Sequence, residues 1–350
     1  MRIAQVAPLV EAVPPKLYGG TERIVSYLTE ELVRSGHEVT LFASGDSCTS
    51  AELVACGERA LRLDATVLDP IPHILVMLAE VRRRAAEFDV VHFHIDPLHF
   101  PIFHDLAART VTTLHGRVDL PDLPALFRYF PQFPLVSISD DQRRPLASAN
   151  WIGTVYHGLP QDLLSFTDAS RGDYLAFLGR MSPEKRPDRA IEIARRAGLP
   201  LRIAAKVDNA DRQYFGQAIV PLLDHPLIEF IGEIGESEKS AFLGNARALL
   251  FPIDWPEPFG LVVIEAMACG TPVIAFPSGS VPEVIEDGVT GFIVESVEEA
   301  VHAVERLPSL DRHAIRASFE RKFSAARMTR DYEALYAKVA RATTPKLRVA

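Results

Sequence analysis

Two glutamates eight positions apart carry the strongest chemical signal in this sequence. They lie in residues 257–272, EPFGLVVIEAMACGTP, where Glu257 precedes a glycine and Glu265 falls inside an apolar run. A helix starting near Gly260 offers free backbone amides and the positive end of its dipole, which together hold anions. Glu265 then lies roughly 7 Å further along that helix. Carboxylates accept hydrogen bonds from hydroxyls. A diphosphate on the amides, with a sugar on one side and a ribose on the other, fits the spacing. A plain helix with a solvent-facing Glu265 and a loop Glu257 is the competing interpretation of either residue alone.

A second stretch, FLGRMSPEKR at residues 177–186, ends an apolar run and precedes a helical pattern. Arg180 offers a planar fork and Lys185 a point charge, and both suit a phosphate. A solvated charged loop is the alternative. A third stretch, YGGTER at residues 18–23, sets Gly19 and Gly20 at a helix start, where backbone can approach a ligand closely. It lacks the GxGxxG pattern, so a dinucleotide site is not supported. Histidines gather near strand ends at positions 92, 94, 99, 104 and 115. No third ligand joins His92 and His94 as a metal set, and no metal is expected. His115 ends a strand and is a candidate substrate contact. His94 and Asp96 are candidates for an acceptor pocket, with packing equally open for both. There is no DxD sequence, the usual acidic clamp for a metal-bound nucleotide sugar.

Positioning these residues requires alternating strands and helices, and the sequence supplies them. Strand patterns fall at residues 2–8, 38–43, 90–94, 110–115, 135–139 and 154–157. Helical patterns lie between them at 21–35, 73–87 and 140–149, with Thr21 as a capping residue and Gly36 past the first helix end. The alternation restarts with strands at 174–179, 201–207, 228–232, 248–252, 272–276 and 291–294. Helices then fall at 187–197, 211–223, 236–246, 260–268 and 281–287. The fold class is therefore α/β, with two Rossmann-like doubly wound parallel sheets of about six strands each. Ligands of such folds bind beyond the carboxyl ends of the strands, so a shared cleft is expected. The expected organisation is residues 1–160, residues 161–325, and a C-terminal helix and tail at 326–350. The linker is expected at 159–172 and a frayed tail at 342–350.

Composition narrows the partners. The chain has 350 residues, 48% hydrophobic and 24% charged, and a formal net charge of −9. Such acidity disfavours sequence-independent nucleic-acid binding, which needs a basic surface. Cys48, Cys56 and Cys269 form no CxxC pair, so neither a disulfide framework nor a zinc ribbon is indicated. No apolar run of about 18 residues exists to span a membrane. A soluble, cytoplasmic protein is expected; oligomeric state is not readable.

The string EPFGLVVIEAMACGTPVIA resembles the E-x7-E signature of retaining GT-B glycosyltransferases, in particular glycosyltransferase family 4. GGTER, FLGRMSPEKR and FIGEIGESEK look like family segments in the expected order, so the resemblance covers nearly the whole chain. It implies a nucleotide-sugar donor, UDP-glucose in the first instance, held mainly by the second domain, with the acceptor on the first. By that resemblance Glu257 contacts sugar hydroxyls beside Phe259 and Gly260, the amides of Leu261 and Val262 face the diphosphate, and Glu265 holds the ribose. Arg180 and Lys185 neutralise the diphosphate, Gly20 approaches it, and Ile234 lies by the base. His115 looks like the family's active-site histidine. Such enzymes need no metal cofactor. Two departures stand out. His157-Gly158 replaces the common Asn-Gly, and the strand ending at Lys206 and Val207 lacks the usual glycine pair, leaving Lys206 an uncertain approach to the phosphates. GGTER and AAKVDNAD also recur in bacterial pteridine glucosyltransferase-like proteins. The implied activity is retaining transfer of a sugar to a small-molecule or glycan hydroxyl. A sugar-nucleotide epimerase and a non-catalytic sugar-nucleotide binder are the alternatives.

Overall fold

The computed structural model describes residues 1–16, 19–168 and 172–343. Tyr18 of the glycine turn, residues 169–171 of the expected linker and residues 344–350 of the expected tail lie outside them. The chain divides into two compact units, Met1–Gly158 joined by the segment from Ala325, and Leu159–Ser324.

The first unit carries β1 (Arg2–Val6), β2 (Glu38–Ala43), β3 (Glu52–Ala55), β4 (Val90–Phe93), β5 (Thr110–Thr113), β6 (Leu135–Ser137) and β7 (Trp151–Thr154). The second carries β8 (Leu175–Arg180), β9 (Leu201–Lys206), β10 (Ile228–Gly232), β11 (Ala248–Phe251), β12 (Val273–Ala275) and β13 (Gly291–Ile293). All pairings are parallel, in the orders β3-β2-β1-β4-β5-β6-β7 and β10-β9-β8-β11-β12-β13. Counted within each unit, the second follows the doubly wound order 3-2-1-4-5-6 and the first extends it by a seventh strand. The winding reverses between β1 and β4 in one sheet and between β8 and β11 in the other. Ligands of open α/β sheets bind outside the strand ends at such a reversal. The central strands are buried on both faces, which is why they read as near-continuous apolar runs.

The sequence pattern needs several corrections. The first sheet has seven strands, because β3 is an edge strand with only partly buried residues and no clear pattern. Its last strand is Trp151–Thr154, not 154–157. The carbonyls of Tyr156 and His157 instead accept from the Arg327 guanidinium at 2.7 and 3.0 Å. Thr21 does not cap the first helix; that helix is Gly20–Arg34, with Gly19 at the cap position and no side-chain cap bond. The helix expected at 211–223 is broken by a π-helical turn, Phe215–Ile219, ahead of Pro221, which cannot donate a backbone bond. Proline also converts the end of the expected 140–149 helix to the 3₁₀ turn Arg144–Leu146. Helices Val297–Arg306 and Arg312–Lys322 had no counterpart in the pattern.

The helix Ala325–Thr343 packs against the first unit, burying Tyr332 and Tyr336 completely. Their hydroxyls meet histidines of the sheet: Tyr336 lies 2.7 Å from His92 Nδ1, and Thr113 Oγ1 lies 2.9 Å from the Tyr332 hydroxyl. Burial holds His92, His94, His99 and His157 well below the usual histidine range, and His115 down to about 3.

These depressed values link stability to pH. Below the ordinary histidine value near 6.5 the unfolded chain takes up protons that the folded chain does not. Folding therefore weakens as pH falls from about 6.5 towards about 3, by up to about 1.4 kcal/mol per histidine per pH unit. Tm measured from pH 7.5 down to 5 is expected to fall steeply, and the fall to be shallower in His99→Phe. A flat profile would contradict neutral burial of these rings.

Candidate active site

The loops after β8 and β11, on either side of the reversal in the second sheet, hold most of the residues singled out above. β8 ends at Arg180, whose register partner at the end of β9 is Lys206. Lys206 pairs with Asp208 at 2.7 Å, and Arg180 reaches the same carboxylate at 3.8 Å and also binds Glu184. Beyond β8 the chain makes the 3₁₀ turn Pro183–Lys185, and Arg186 adopts left-handed backbone before helix Pro187–Ala197. That turn carries Lys185 across to the β11 loop, where its ammonium pairs with Glu257. The two loops are also tied through backbone. Asp254 N–H donates to the Glu184 carbonyl at 2.9 Å, and the Arg189 guanidinium donates to the Pro252 carbonyl at 3.0 Å.

Glu257 is the hub of this cluster. Its carboxylate also accepts from the Trp255 indole at 2.9 Å, while Lys185 lies 4.9 Å from the Trp255 ring centre and 5.8 Å from that of Phe251. The cation thus rests against aromatic faces, an added attraction in a partly desolvated site. The backbone of Glu257 is held by the segment after β12. Its carbonyl accepts from Ser280 N–H at 3.0 Å, and the Phe259 carbonyl accepts from the Ser280 hydroxyl at 2.9 Å.

Gly260 turns the chain into helix Leu261–Ala268 with φ +81, a region that a side chain enters only at a cost. No side chain caps that helix and its first turn holds no acidic residue. The amides of Leu261 and Val262 therefore stand at an uncapped helix start, as an anion site requires. Glu265, on the same helix, is not solvent-facing: it is 4% exposed and pairs with Lys239 at 2.6 Å. Lys239 also approaches Glu236, at 3.4 Å. Ile234 lies in the connection between β10 and helix Glu236–Gly244.

Sequence reasoning missed Lys239, Asp208 and Trp255, which partner the residues it found. Lys239 closes the segment FIGEIGESEK and Asp208 lies within AAKVDNAD, while Trp255 stands two positions before Glu257. Gly279 was missed too. Its φ is +60, and a Cβ there would stand 2.3 Å from the backbone nitrogen and oxygen of Glu257.

In the first unit His94 and His115 come together, with Nδ1 of the first 2.8 Å from Nε2 of the second. The His115 ring stacks on His157 at 5.2 Å between centres. Asp96 begins the 3₁₀ turn Asp96–His99 with φ +54, and desolvation raises its carboxyl above the usual range. Gly19 packs so closely on Pro15 that an added Cβ would sit 2.8 Å away. Among the described residues no cluster of three or more His, Cys, Asp or Glu is arranged to hold a metal ion. No helix among them is long and apolar enough to cross a membrane.

Comparison with solved structures identifies the fold class. Sucrose-phosphate synthase from Thermosynechococcus elongatus aligns with a TM-score of 0.78 at 16% identity, covering 98% of this chain and 100% of that one. AviGT4, a glycosyltransferase involved in avilamycin A biosynthesis, aligns at 0.73 and 21% identity over 98% and 99%. Anabaena HepE, solved in complex with UDP and glucose, aligns at 0.73 and 17% identity over 97% and 100%. The two parallel-sheet units are thus those of the GT-B architecture. Residues 166–321 match the family model of glycosyl transferases group 1, and residues 18–155 match that of glycosyltransferase family 4. The chain belongs to the glycosyltransferases of this family 4 type.

Its relatives include D-inositol 3-phosphate glycosyltransferases. That of Streptomyces griseus is 28% identical over 57% of this chain, and that of Mycobacterium sp. strain KMS is 34% identical over 40%. The matched part spans only 41% and 33% of those two proteins. The enzyme of Mycolicibacterium smegmatis is 27% identical over 79% of this chain and 75% of its own length.

The packing of Gly279 on Glu257 generates a stability prediction. Gly279→Ala forces the 252–260 loop to move, whereas Gly288→Ala, also at positive φ but with open space around it, bears only backbone strain. The first is expected to cost several kcal/mol, the second about 1–2 kcal/mol. Denaturant unfolding followed by tryptophan emission, which senses Trp255, measures both. Equal losses would show that the contact does not hold the loop.

Proposed function

We propose that this chain transfers a sugar from a nucleotide-sugar donor to a hydroxyl of a small-molecule or glycan acceptor, with retention of configuration and without a metal cofactor. UDP-glucose is the first donor to test. The observation that carries this reading is the convergence of Lys185 on Glu257 beside an uncapped helix start, at the winding reversal of the second sheet. The sugar nucleotide is assigned to that unit, and His115, His94 and Asp96 of the first unit to the acceptor side. HepE in complex with UDP and glucose, and relatives named for inositol phosphate glycosyl transfer, support the substrate class.

The chemistry follows from charge. Breaking the bond between sugar and diphosphate builds negative charge on the departing oxygen and positive charge on the sugar ring. Lys185, Arg180 and the amides of Leu261 and Val262 are oriented groups that stabilise the first, and such preorganised groups contribute most to rate. Lys185 is paired with Glu257 before donor binds, so an incoming phosphate must exchange with or join that pair. Glu257 then turns to sugar hydroxyls. Retention follows if the acceptor hydroxyl attacks from the leaving-group face and passes its proton to the departing phosphate. Glu257, engaged by Lys185 and Trp255, is not assigned as a nucleophile.

Variants separate the roles. Lys185→Ala is expected to lower kcat/KM by about two powers of ten, the scale of one lost electrostatic stabiliser. Glu265→Gln is expected to weaken UDP binding about tenfold with kcat nearly kept, because ribose contacts are alike in ground and transition states. Glu257→Gln should instead lower kcat. Calorimetric titration with UDP beside steady-state kinetics reads all three, and exchanged phenotypes for the two glutamates would invert this donor placement.

The acidic clamp DxD is absent from the sequence and cations stand at the strand ends instead. Turnover is therefore expected to survive EDTA. Loss of activity reversed only by Mg²⁺ or Mn²⁺ would remove the metal-independent assignment.

A further inference from the structure

The buried polar row in the first unit has a direction. Gln5 is a fully buried polar residue in the middle of β1, in register with His92 on β4. Its amide oxygen lies 2.8 Å from His94 Nε2, and its amide nitrogen donates to the Tyr336 hydroxyl at 3.1 Å. An amide oxygen only accepts, so His94 Nε2 must carry hydrogen. A neutral imidazole has one hydrogen, so His94 Nδ1 is bare and must accept from His115 Nε2 across their 2.8 Å contact. His115 therefore carries its hydrogen on Nε2, and its Nδ1 is bare.

The other arm of the row has the same polarity. Having accepted from Gln5, Tyr336 donates to His92 Nδ1. His92 Nε2–H then donates to Thr113 Oγ1, 2.7 Å away, and Thr113 donates to Tyr332. Along the first arm each bond dictates the next, so the Gln5 amide sets the tautomers of His94 and His115, and the Tyr336 hydroxyl, which both accepts and donates, carries the same polarity to His92. Turning that amide over would reverse every bond and place hydrogen on His115 Nδ1 instead.

One end of the row is open. Nδ1 of His115 is buried and has no hydrogen-bond partner among the described residues. A buried polar atom left in that state costs free energy, and its retention calls for a partner that arrives with a ligand. His115 itself is only half-buried at the carboxyl end of β5, so its ring borders the surface from which a ligand comes.

We propose that Gln5, acting through His94, is a positioning residue that holds His115 in the tautomer with hydrogen on Nε2, so that Nδ1 accepts a hydrogen bond from a hydroxyl of the bound sugar or acceptor. The hydroxyl as ligand rests on the glycosyl-transfer reading; the tautomer does not. His115 is the group that touches substrate, while Gln5, His94 and Tyr336 act through it.

Long-range ¹H–¹⁵N correlation spectra of the full chain at pH 8 read the tautomers directly. His115 is expected to show a protonated Nε2 and a bare Nδ1, and a protonated Nδ1 in the wild type would overturn the proposal. Gln5→Met fills the same space without an amide. It is expected to give mixed His94 and His115 tautomers and to lower kcat about ten- to a hundredfold, as when other imidazoles lose the group orienting them. UDP affinity, a property of the second unit, should not change. A single unchanged tautomer with wild-type kcat in Gln5→Met would also overturn it. If wild-type protein shows the expected tautomer but neither binds UDP nor turns over a nucleotide sugar, the positioning stands and the glycosyl-transfer reading fails.

Discussion

Arg180, Lys185, Glu257 and Glu265 stand where they do because a parallel sheet reverses its winding between β8 and β11. Parallel strands all end on the same edge, and each must be followed by a crossover that returns to the far edge. At the reversal, neighbouring strands send their connections to opposite faces of the sheet. The connections after β8 and β11 therefore leave from adjacent strand ends, and their loops meet there through Lys185 and Glu257 and through Asp254 N–H and the Glu184 carbonyl. Lys185 and Glu257 are 72 positions apart, yet each lies a few residues past the end of one of these two strands. The ion pair is thus a product of topology. Local backbone then refines it, through left-handed Arg186 and Gly260, each at the entrance to a helix.

The same constraint explains what could be read from the sequence. Apolar runs placed eleven of the thirteen described strands, and set a twelfth three residues late, because buried parallel strands are apolar on both faces, and the candidate site loops were legible as the polar residues directly after those runs. Boundaries shifted where side chains competed for backbone, as Arg327 does for the carbonyls of Tyr156 and His157. The edge strand Glu52–Ala55 escaped because an edge needs no continuous apolar run. Partners escaped for a different reason. Asp208 and Lys239 are ordinary surface-type residues in the sequence, and only the fold brings them to Lys206 and Glu265. Gln5 and Tyr336 meet across 331 positions, beyond the reach of any local pattern.

The two units solve different electrostatic problems with different residues. The second keeps its charges, each compensated: Lys185 by Glu257, Lys206 by Asp208, Glu265 by Lys239. Removing one member of a buried pair leaves an uncompensated charge, which costs far more than the pair contributes. An anionic ligand entering such a site need not create cations. It has only to compete with a carboxylate for one already present, as the diphosphate of the proposed donor would.

In the first unit the buried row that ends at His115 carries polarity without charge. Five of the unit's histidines are held neutral by desolvation, and the hydrogens of three of them, His92, His94 and His115, lie along a row of hydrogen bonds with no carboxylate in it. A neutral imidazole offers one donor and one acceptor, which is what a hydroxyl requires, whereas an imidazolium offers donors alone. Burial thus does two things with the same residues. It lowers proton affinity enough to keep the rings neutral across the physiological range, and it lengthens the consequence of one amide orientation from Gln5 to His115. Stability at low pH is what this arrangement gives up, because every ring kept neutral in the fold is a ring the unfolded chain can protonate.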